Sequence, residues 1–243
     1  MIATVRALWR LIAVLTCLCR GAWTMTRRQS HWSDAERADA VSLWAQGMLR
    51  ALGVTLQAQG HPQSGPVLWV ANHIAWLDIL AVHAVRHCRF VAKSEVHRWP
   101  VIGKLAAGAG TLFIERASRR DALRVVHDMA HALQSGDTVA VFPEGTTSTG
   151  ETILAFHANL IQAAVATDVD VQPVLIRYLD DAQHPARHVR YVGDDTLVTS
   201  IWRVLMASQT IVQIDFLAPQ RRMGRDRRAW ASDLRLDMLN RLR

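Results

Sequence analysis

His73 and Asp78 stand five positions apart in Asn72-His73-Ile74-Ala75-Trp76-Leu77-Asp78, directly after an apolar run. An imidazole whose one nitrogen is held by a carboxylate keeps the other free as a general base. The carboxylate also stabilises the imidazolium that forms when the base takes a proton. In one continuous helix, residues five apart point about 140° from each other and could not meet. The pair therefore requires a strand end that turns into a helix start. The plainer reading is a loop histidine beside an aspartate that caps a helix.

Three further clusters fall at similar places. Gly110-Thr111-Leu112-Phe113-Ile114-Glu115-Arg116, followed by Arg119 and Arg120, delivers Arg116 at the end of a short strand. A guanidinium there is a suitable anchor for a phosphorylated or zwitterionic ligand. Phe142-Pro143-Glu144-Gly145-Thr146-Thr147-Ser148 presents Glu144 in a turn fixed by Pro143 and Gly145. Val171-Gln172-Pro173 places a proline inside an apolar strand, which predicts a strand edge or a bulge.

The elements that must position these residues follow from hydrophobic patterning. Ser33 and Glu36 form a capping box for a helix that ends at Gly53. Strands are predicted at 54–57, 67–71, 89–92, 111–114, 138–142, 171–176 and 210–216. Helices are predicted at about 77–87, 100–107, 119–134, 154–166 and 227–242. Such alternation implies an α/β fold with a largely parallel mixed sheet flanked by helices. Ligands of these sheets gather where strands end.

In this order and spacing, the clusters resemble the glycerolipid acyltransferase family that includes the 1-acyl-sn-glycerol-3-phosphate acyltransferases. The family pattern is His-x-x-x-x-Asp, Gly-x-x-Phe-x-x-Arg, Phe-Pro-Glu-Gly-Thr and Val-x-Pro. Here it reads His73…Asp78, Gly110…Phe113…Arg116, Phe142-Pro143-Glu144-Gly145-Thr146 and Val171…Pro173. Phe90-Val91-Ala92-Lys93-Ser94-Glu95 and Trp99-Pro100-Val101-Ile102-Gly103 are similar to the family as well. The resemblance covers residues 65–178. It implies His73 as base and Asp78 as its orienting partner. It implies Arg116 on the acceptor's phosphate, with Glu144, Gly145 and Thr146 shaping the acceptor site. It further implies an N-terminal two-helix membrane-binding motif over residues 1–52 and an αβ acyltransferase domain over 53–243.

The implied reaction transfers a fatty acyl group from acyl-CoA or acyl-ACP to the hydroxyl of a lysolipid. The expected acceptor is 1-acyl-sn-glycerol-3-phosphate, giving phosphatidic acid, with lyso-ornithine lipid as the alternative. Two departures bear on that choice. Thr147 stands where the family usually has Arg, and Phe156-His157-Ala158-Asn159 replaces a Phe-Lys-x-Gly pattern. Both remove features expected near a phosphate, which makes Thr147 and His157 candidates for acceptor selectivity. The version Gly-Thr-Thr-Ser looks like the lyso-ornithine branch. No cofactor or metal is implied beyond the acyl thioester co-substrate. His127 and His131 lack the His-Glu-x-x-His pattern and read as a partly exposed helix face.

Composition agrees with a membrane surface. The chain has 243 residues, half of them hydrophobic, and a net charge of +7. The only lysines are Lys93 and Lys104, so nearly all the positive charge is arginine, which matches phosphate and carboxylate. Cys17, Cys19 and Cys88 make neither a disulfide framework nor a zinc pattern. Arg6, Arg10, Arg20, Arg27 and Arg28 precede the first acid, Asp34, and bracket the apolar run Leu11–Cys19. That run is shorter than the roughly 20 residues a spanning helix needs. An interfacial helix with Trp9 and Trp23 near the headgroups is expected, on the cytoplasmic face of the cell membrane and against anionic lipid. The signal-peptide alternative lacks a small-x-small cleavage site. A Ser-nucleophile hydrolase is disfavoured because Gly-x-Ser-x-Gly is absent. A non-catalytic basic protein that binds membrane or nucleic acid is the alternative of another class. Asp226, Asp233 and Asp237 dilute the basic C-terminal segment, and no nucleic-acid motif is present.

Overall fold

The protein is described by a computed structural model over residues 2–28, 31–115 and 119–242. Two N-terminal helices, α1 (Ile2–Arg28) and α2 (Asp34–Leu52), lead into strand β1 (Val54–Gln59). Then follow β2 (Val67–Ala71), α3 (Leu77–Val85), β3 (Arg89–Lys93), α4 (Ser94–His97), α5 (Ile102–Gly108), β4 (Leu112–Ile114) and α6 (Arg119–Gln134). The chain ends with β5 (Thr138–Val141), α7 (Gln162–Thr167), β6 (Asp170–Leu179), α8 (Leu197–Met206), β7 (Thr210–Phe216) and α9 (Arg227–Leu242).

The seven strands form one sheet in the order β1-β7-β6-β2-β5-β3-β4. Every pairing is parallel except β6 with β7. All residues of β2 and β5 are buried, because helices cover both faces of the sheet. Trp69 and Ala71 of β2 pack with α1, α2, α3 and α8 on one face. Leu68 and Val70 pack with α6, α7 and α9 on the other. The predicted α/β class with a largely parallel sheet is the one observed.

Local signals explain most element boundaries. The Ser33 side chain accepts from the Glu36 N–H while the Glu36 carboxylate accepts from the Ser33 N–H, so α2 starts on a full capping box. Gly53 ends α2 with φ +76, a conformation costly for residues with a Cβ. The Arg10 side chain also lies against it: a Cβ at Gly53 would sit 2.1 Å from the guanidinium carbon. That guanidinium donates to the carbonyls of Leu205 (3.1 Å), Ala207 (2.7 Å) and Ser208 (3.2 Å), and Arg6 donates to Met206 O (2.7 Å). These carbonyls lie at the C-terminal end of α8, where helices leave acceptors unpaired and favour positive charge.

The same contacts correct the expectation for α1. Arg10 and Arg20 flank the apolar run Leu11–Cys19, yet Arg10, like Arg6, turns toward the protein, and only Arg20 is exposed. The outer face of α1 therefore stays apolar over its first four turns, with Ile2, Val5, Leu8, Trp9, Ile12 and Leu15 exposed, while Trp23 lies beyond the exposed Arg20. A stretch of 26 residues, Ile2–Arg27, is long and apolar enough to cross a membrane by length and composition. Length thus no longer argues against crossing.

Three other expectations need correction. The helix expected at 154–166 is confined to Gln162–Thr167. Upstream, the Leu154 N–H goes to Glu144 and the His157 N–H to the Pro143 carbonyl, so the backbone is engaged with another loop. Helix α8 was not anticipated, because its ten residues read as a gap between strands. Pro173 lies in an interior strand rather than at an edge, opposite Val70 of β2. It is tolerated because its carbonyl still accepts from the Leu217 N–H (3.0 Å), while the Leu217 carbonyl, which a proline cannot meet, accepts instead from the Gln172 side-chain amide (2.9 Å).

Replacing Arg10 with Ala is expected to leave the end of α8 without its side-chain donors. Unfolding free energy should fall by about 1–3 kcal/mol. Thermal denaturation would read this as about 2–4 °C for each kcal/mol.

Candidate active site

Strand β2 ends at Ala71, and Asn72 extends its pairing by side chain alone. The Asn72 amide donates to Ile176 O (3.0 Å) and accepts from Ile176 N (2.7 Å). The main chain is thereby released to turn at His73. Residues 73–78 wrap around the carboxylate of Asp78, at the start of α3. Asp78 Oδ2 accepts from Ile74 N (2.7 Å) and Ala75 N (3.0 Å) and lies 2.7 Å from His73 Nδ1. An oxygen already accepting from two N–H groups acts as an acceptor for the third partner, so Nδ1 carries the proton. Asp78 Oδ1 accepts from the Tyr178 hydroxyl at 2.7 Å.

Asp78 is fully buried. No Lys or Arg side chain pairs with it among the described residues; four polar hydrogens hold it instead. The His73 side chain retains 19 % of its exposure. Its Nε2 has no hydrogen-bond partner among the described residues. The imidazole stacks on Phe142, with ring centroids 4.0 Å apart and 11° between planes, and Phe142 stacks in turn on Phe90 at 5.4 Å. Orientation is thus fixed on one nitrogen and on one ring face, while the other nitrogen stays open. That arrangement suits a general base acting on a ligand at the C-terminal edge of the sheet.

The turn after β5 supports the base. Glu144 is buried, and both carboxylate oxygens are committed to main-chain N–H groups: Oε1 to His73 (2.8 Å) and Oε2 to Leu154 (2.8 Å). Burial raises the pKa of its carboxyl above the usual range, and the two N–H donors oppose that rise. Ser148 completes the brace, donating from its N–H (2.8 Å) and its hydroxyl (3.2 Å) to the His73 carbonyl. Gly145 has φ +71, and a Cβ there would approach His157 Cδ2 to 2.9 Å. Glycine is therefore required by both conformation and space.

The anticipated site residues separate accordingly. His73 and Asp78 meet directly. Glu144, expected to shape an acceptor site, faces the interior and braces the loops. Gly145 and His157 lie against each other, and both Thr146 and His157 are exposed. Thr147 turns its hydroxyl onto the Tyr191 carbonyl, and the Tyr191 N–H donates to Ile74 O (3.3 Å). Arg116 lies outside the described residues. Tyr178 was missed by sequence reasoning, although a tyrosine in a buried strand needs a partner for its hydroxyl.

Comparison with known proteins places this geometry in context. The sequence profile of the acyltransferase family matches residues 54–177. The lyso-ornithine lipid O-acyltransferase of Pseudomonas aeruginosa is 36% identical over 208 residues, covering 85% of this chain and 80% of that protein. The 1-acyl-sn-glycerol-3-phosphate acyltransferase of Neisseria gonorrhoeae is 38% identical over 185 residues, covering 74% and 71%. The crystal structure of the 1-acyl-sn-glycerophosphate acyltransferase from Thermotoga maritima superposes with a TM-score of 0.72 at 20% identity, covering 98% of this chain and 95% of that one. At that identity the superposition establishes the fold.

Changing Tyr178 to Phe removes one donor from the buried carboxylate. More negative charge then remains beside His73, which favours its protonated form. Because a general base must be neutral, the acid limb of the pH–rate profile should move to higher pH, with activity lost first at low pH. The unpaired Oδ1 should also cost about 1–3 kcal/mol of stability. A destabilised variant with an unmoved acid limb would reduce Tyr178 to packing.

Proposed function

The chain belongs to the acyltransferase family, and from that premise we propose that His73 catalyses acyl transfer from a thioester to the hydroxyl of a lysolipid at the membrane surface. The acyl donor in this reading is acyl-CoA or acyl-ACP. The observation that carries it is the 2.7 Å contact between His73 Nδ1 and the buried Asp78, with Nε2 left open.

In this mechanism Nε2 takes the proton of the acceptor hydroxyl as its oxygen attacks the thioester carbonyl. Asp78 stabilises the imidazolium. Collapse of the tetrahedral intermediate breaks the carbon–sulfur bond, and the imidazolium returns the proton to the departing sulfur. The products are an ester and a free thiol, and His73 is again neutral. General base catalysis contributes about 10²–10⁴-fold, and alignment of the two lipids adds to it.

For the acceptor we favour lyso-ornithine lipid. Thr147 stands where the family usually has Arg and gives its hydroxyl to the Tyr191 carbonyl, so position 147 offers no guanidinium to a phosphate. The Pseudomonas relative, which covers 85% of this chain, carries that activity in its name. A second reading, 1-acyl-sn-glycerol-3-phosphate, draws on the Neisseria relative at 38% identity.

The exposed apolar face of α1, together with Leu43 of α2 and Val198 and Trp202 of α8, supports membrane attachment. Since both donors are cytoplasmic thioesters, the cytoplasmic leaflet is the proposed location.

Purified enzyme offered acyl-CoA or acyl-ACP with a panel of lysolipids in vesicles should form diacyl product with little free fatty acid. His73→Ala should lower transfer by at least about 10²–10⁴-fold without loss of fold, checked by circular dichroism. Full transfer by that variant would sink the assignment, and predominant fatty-acid release would indicate a hydrolase. Trp9→Glu combined with Ile12→Glu should weaken vesicle binding in flotation, since each places a charge on the apolar face.

A further inference from the structure

A cleft of about 540 Å³ opens beside the catalytic loop, lined by Glu151, Asp180, His184, Arg187, His188 and Arg190 together with Pro185. Each chain segment that forms it continues into the network around His73. Asp180 follows Tyr178, whose hydroxyl holds Asp78, by two positions. Glu151 follows Ser148, which holds the His73 carbonyl, by three. Arg190 adjoins Tyr191, which bonds Ile74 and Thr147. The cleft thus lies at the same strand ends as the base, and helix α8 holds its wall through Arg203, which donates to the Arg190 carbonyl at 2.8 Å.

Its charges are of both signs. Arg187 is exposed, and its guanidinium makes no hydrogen bond or ion pair among the described residues. Arg190 reaches Glu151 Oε1 at 2.7 Å, and the Glu151 side chain keeps 62 % of its exposure. Asp180 uses Oδ1 for the N–H groups of Ala182 and His184, both at 2.9 Å, so Oδ2 is available. A head that is only anionic would gain Arg187 but would face two carboxylates. A head with a cation beside its anion would satisfy both sets of charges.

We propose that this cleft seats the polar head of the acceptor and selects a zwitterion, with the ammonium on Asp180 and Glu151 and the anion on Arg187. This deepens, and rests on, the reading of the protein as a lysolipid acyltransferase. It also assigns acceptor selectivity to residues outside the four sequence motifs. The loop Thr147 then acts as a positioning residue, tying the cleft segment at Tyr191 to the catalytic turn.

Two measurements test the proposal. In the first, kcat/KM is compared for a lyso-ornithine lipid, a lysophosphatidylethanolamine and a 1-acylglycerol-3-phosphate. Asp180→Asn and Glu151→Gln should each lower the ratio of either zwitterionic acceptor to the phosphate monoester by about fivefold, as expected of a partly exposed ion pair. If only the ornithine head responds, the anion on Arg187 is a carboxylate; if both zwitterions respond, a phosphate serves equally. An unchanged ratio in both variants overturns the proposal and leaves acyl transfer standing. In the second, calorimetry compares binding of N-octanoyl-ornithine with N-octanoyl-norvaline, which lacks the side-chain ammonium. Wild type should bind the ornithine compound about fivefold more tightly, and Asp180→Asn should narrow that gap. Equal binding of the two by wild type overturns the proposal. Because this readout needs no turnover, it scores the cleft even if the protein acylates no lysolipid.

Discussion

One buried carboxylate organises the candidate site. Asp78 is fully enclosed, and a charge there is costly unless its lone pairs are met. The four donors that meet them are two main-chain N–H groups, an imidazole and a tyrosine hydroxyl. Each comes at a geometric condition. The N–H groups require the chain to curl between His73 and α3, and the hydroxyl requires β6 to lie beside β2 in parallel register. The imidazole is oriented as a by-product of satisfying the carboxylate. A stable arrangement of the aspartate and a competent arrangement of the histidine are therefore one arrangement.

The second carboxylate, Glu144, works by the same rule at a different place. It sits between the His73 loop and the loop before α7 and joins them through main-chain N–H groups. Its side chain holds two loops that have no regular pairing with each other. This explains why the start of the segment 154–161 is not helical, despite apolar spacing that suits a helix: the amides of Leu154 and His157 are used elsewhere, and those of Leu160 and Ile161 close local turns. Gly145 serves this brace by allowing the chain to turn under His157 without a side chain in the way.

On the face of the sheet that carries α3, helix-end electrostatics fasten the apolar N-terminal helix to the domain. Arg6 and Arg10 lie on the inner side of α1 and meet the carbonyls that α8 cannot pair internally. Trp76, in the catalytic loop, donates to Ser200 of α8 at 3.0 Å. A connected set of polar contacts therefore runs from α1 through α8 to the loop that carries His73. The exposed apolar residues of α1 and α8 and the open nitrogen of His73 belong to elements that pack on the same face of the sheet.

Much of this was legible in the order of residues. The continuous apolar runs of β2 and β5 announce strands covered on both faces, and the capping box at Ser33 and the glycine at 53 bound α2 without reference to anything distant. The five-residue spacing of His73 and Asp78 at a strand end permits their pairing, and the family resemblance implied it; the residues between them are few enough that local geometry lets them meet. Tertiary structure decided the rest. Tyr178 lies a hundred positions from Asp78, and only the parallel placement of β6 beside β2 brings its hydroxyl there. Glu144 reads as a ligand-facing residue until folding shows where its oxygens go. Arg10 reads as one limit of a short apolar run until α8 supplies its acceptors. Short-range signals fix elements because backbone conformation depends on near neighbours; partners for buried charge are chosen by whichever distant segment the packing delivers.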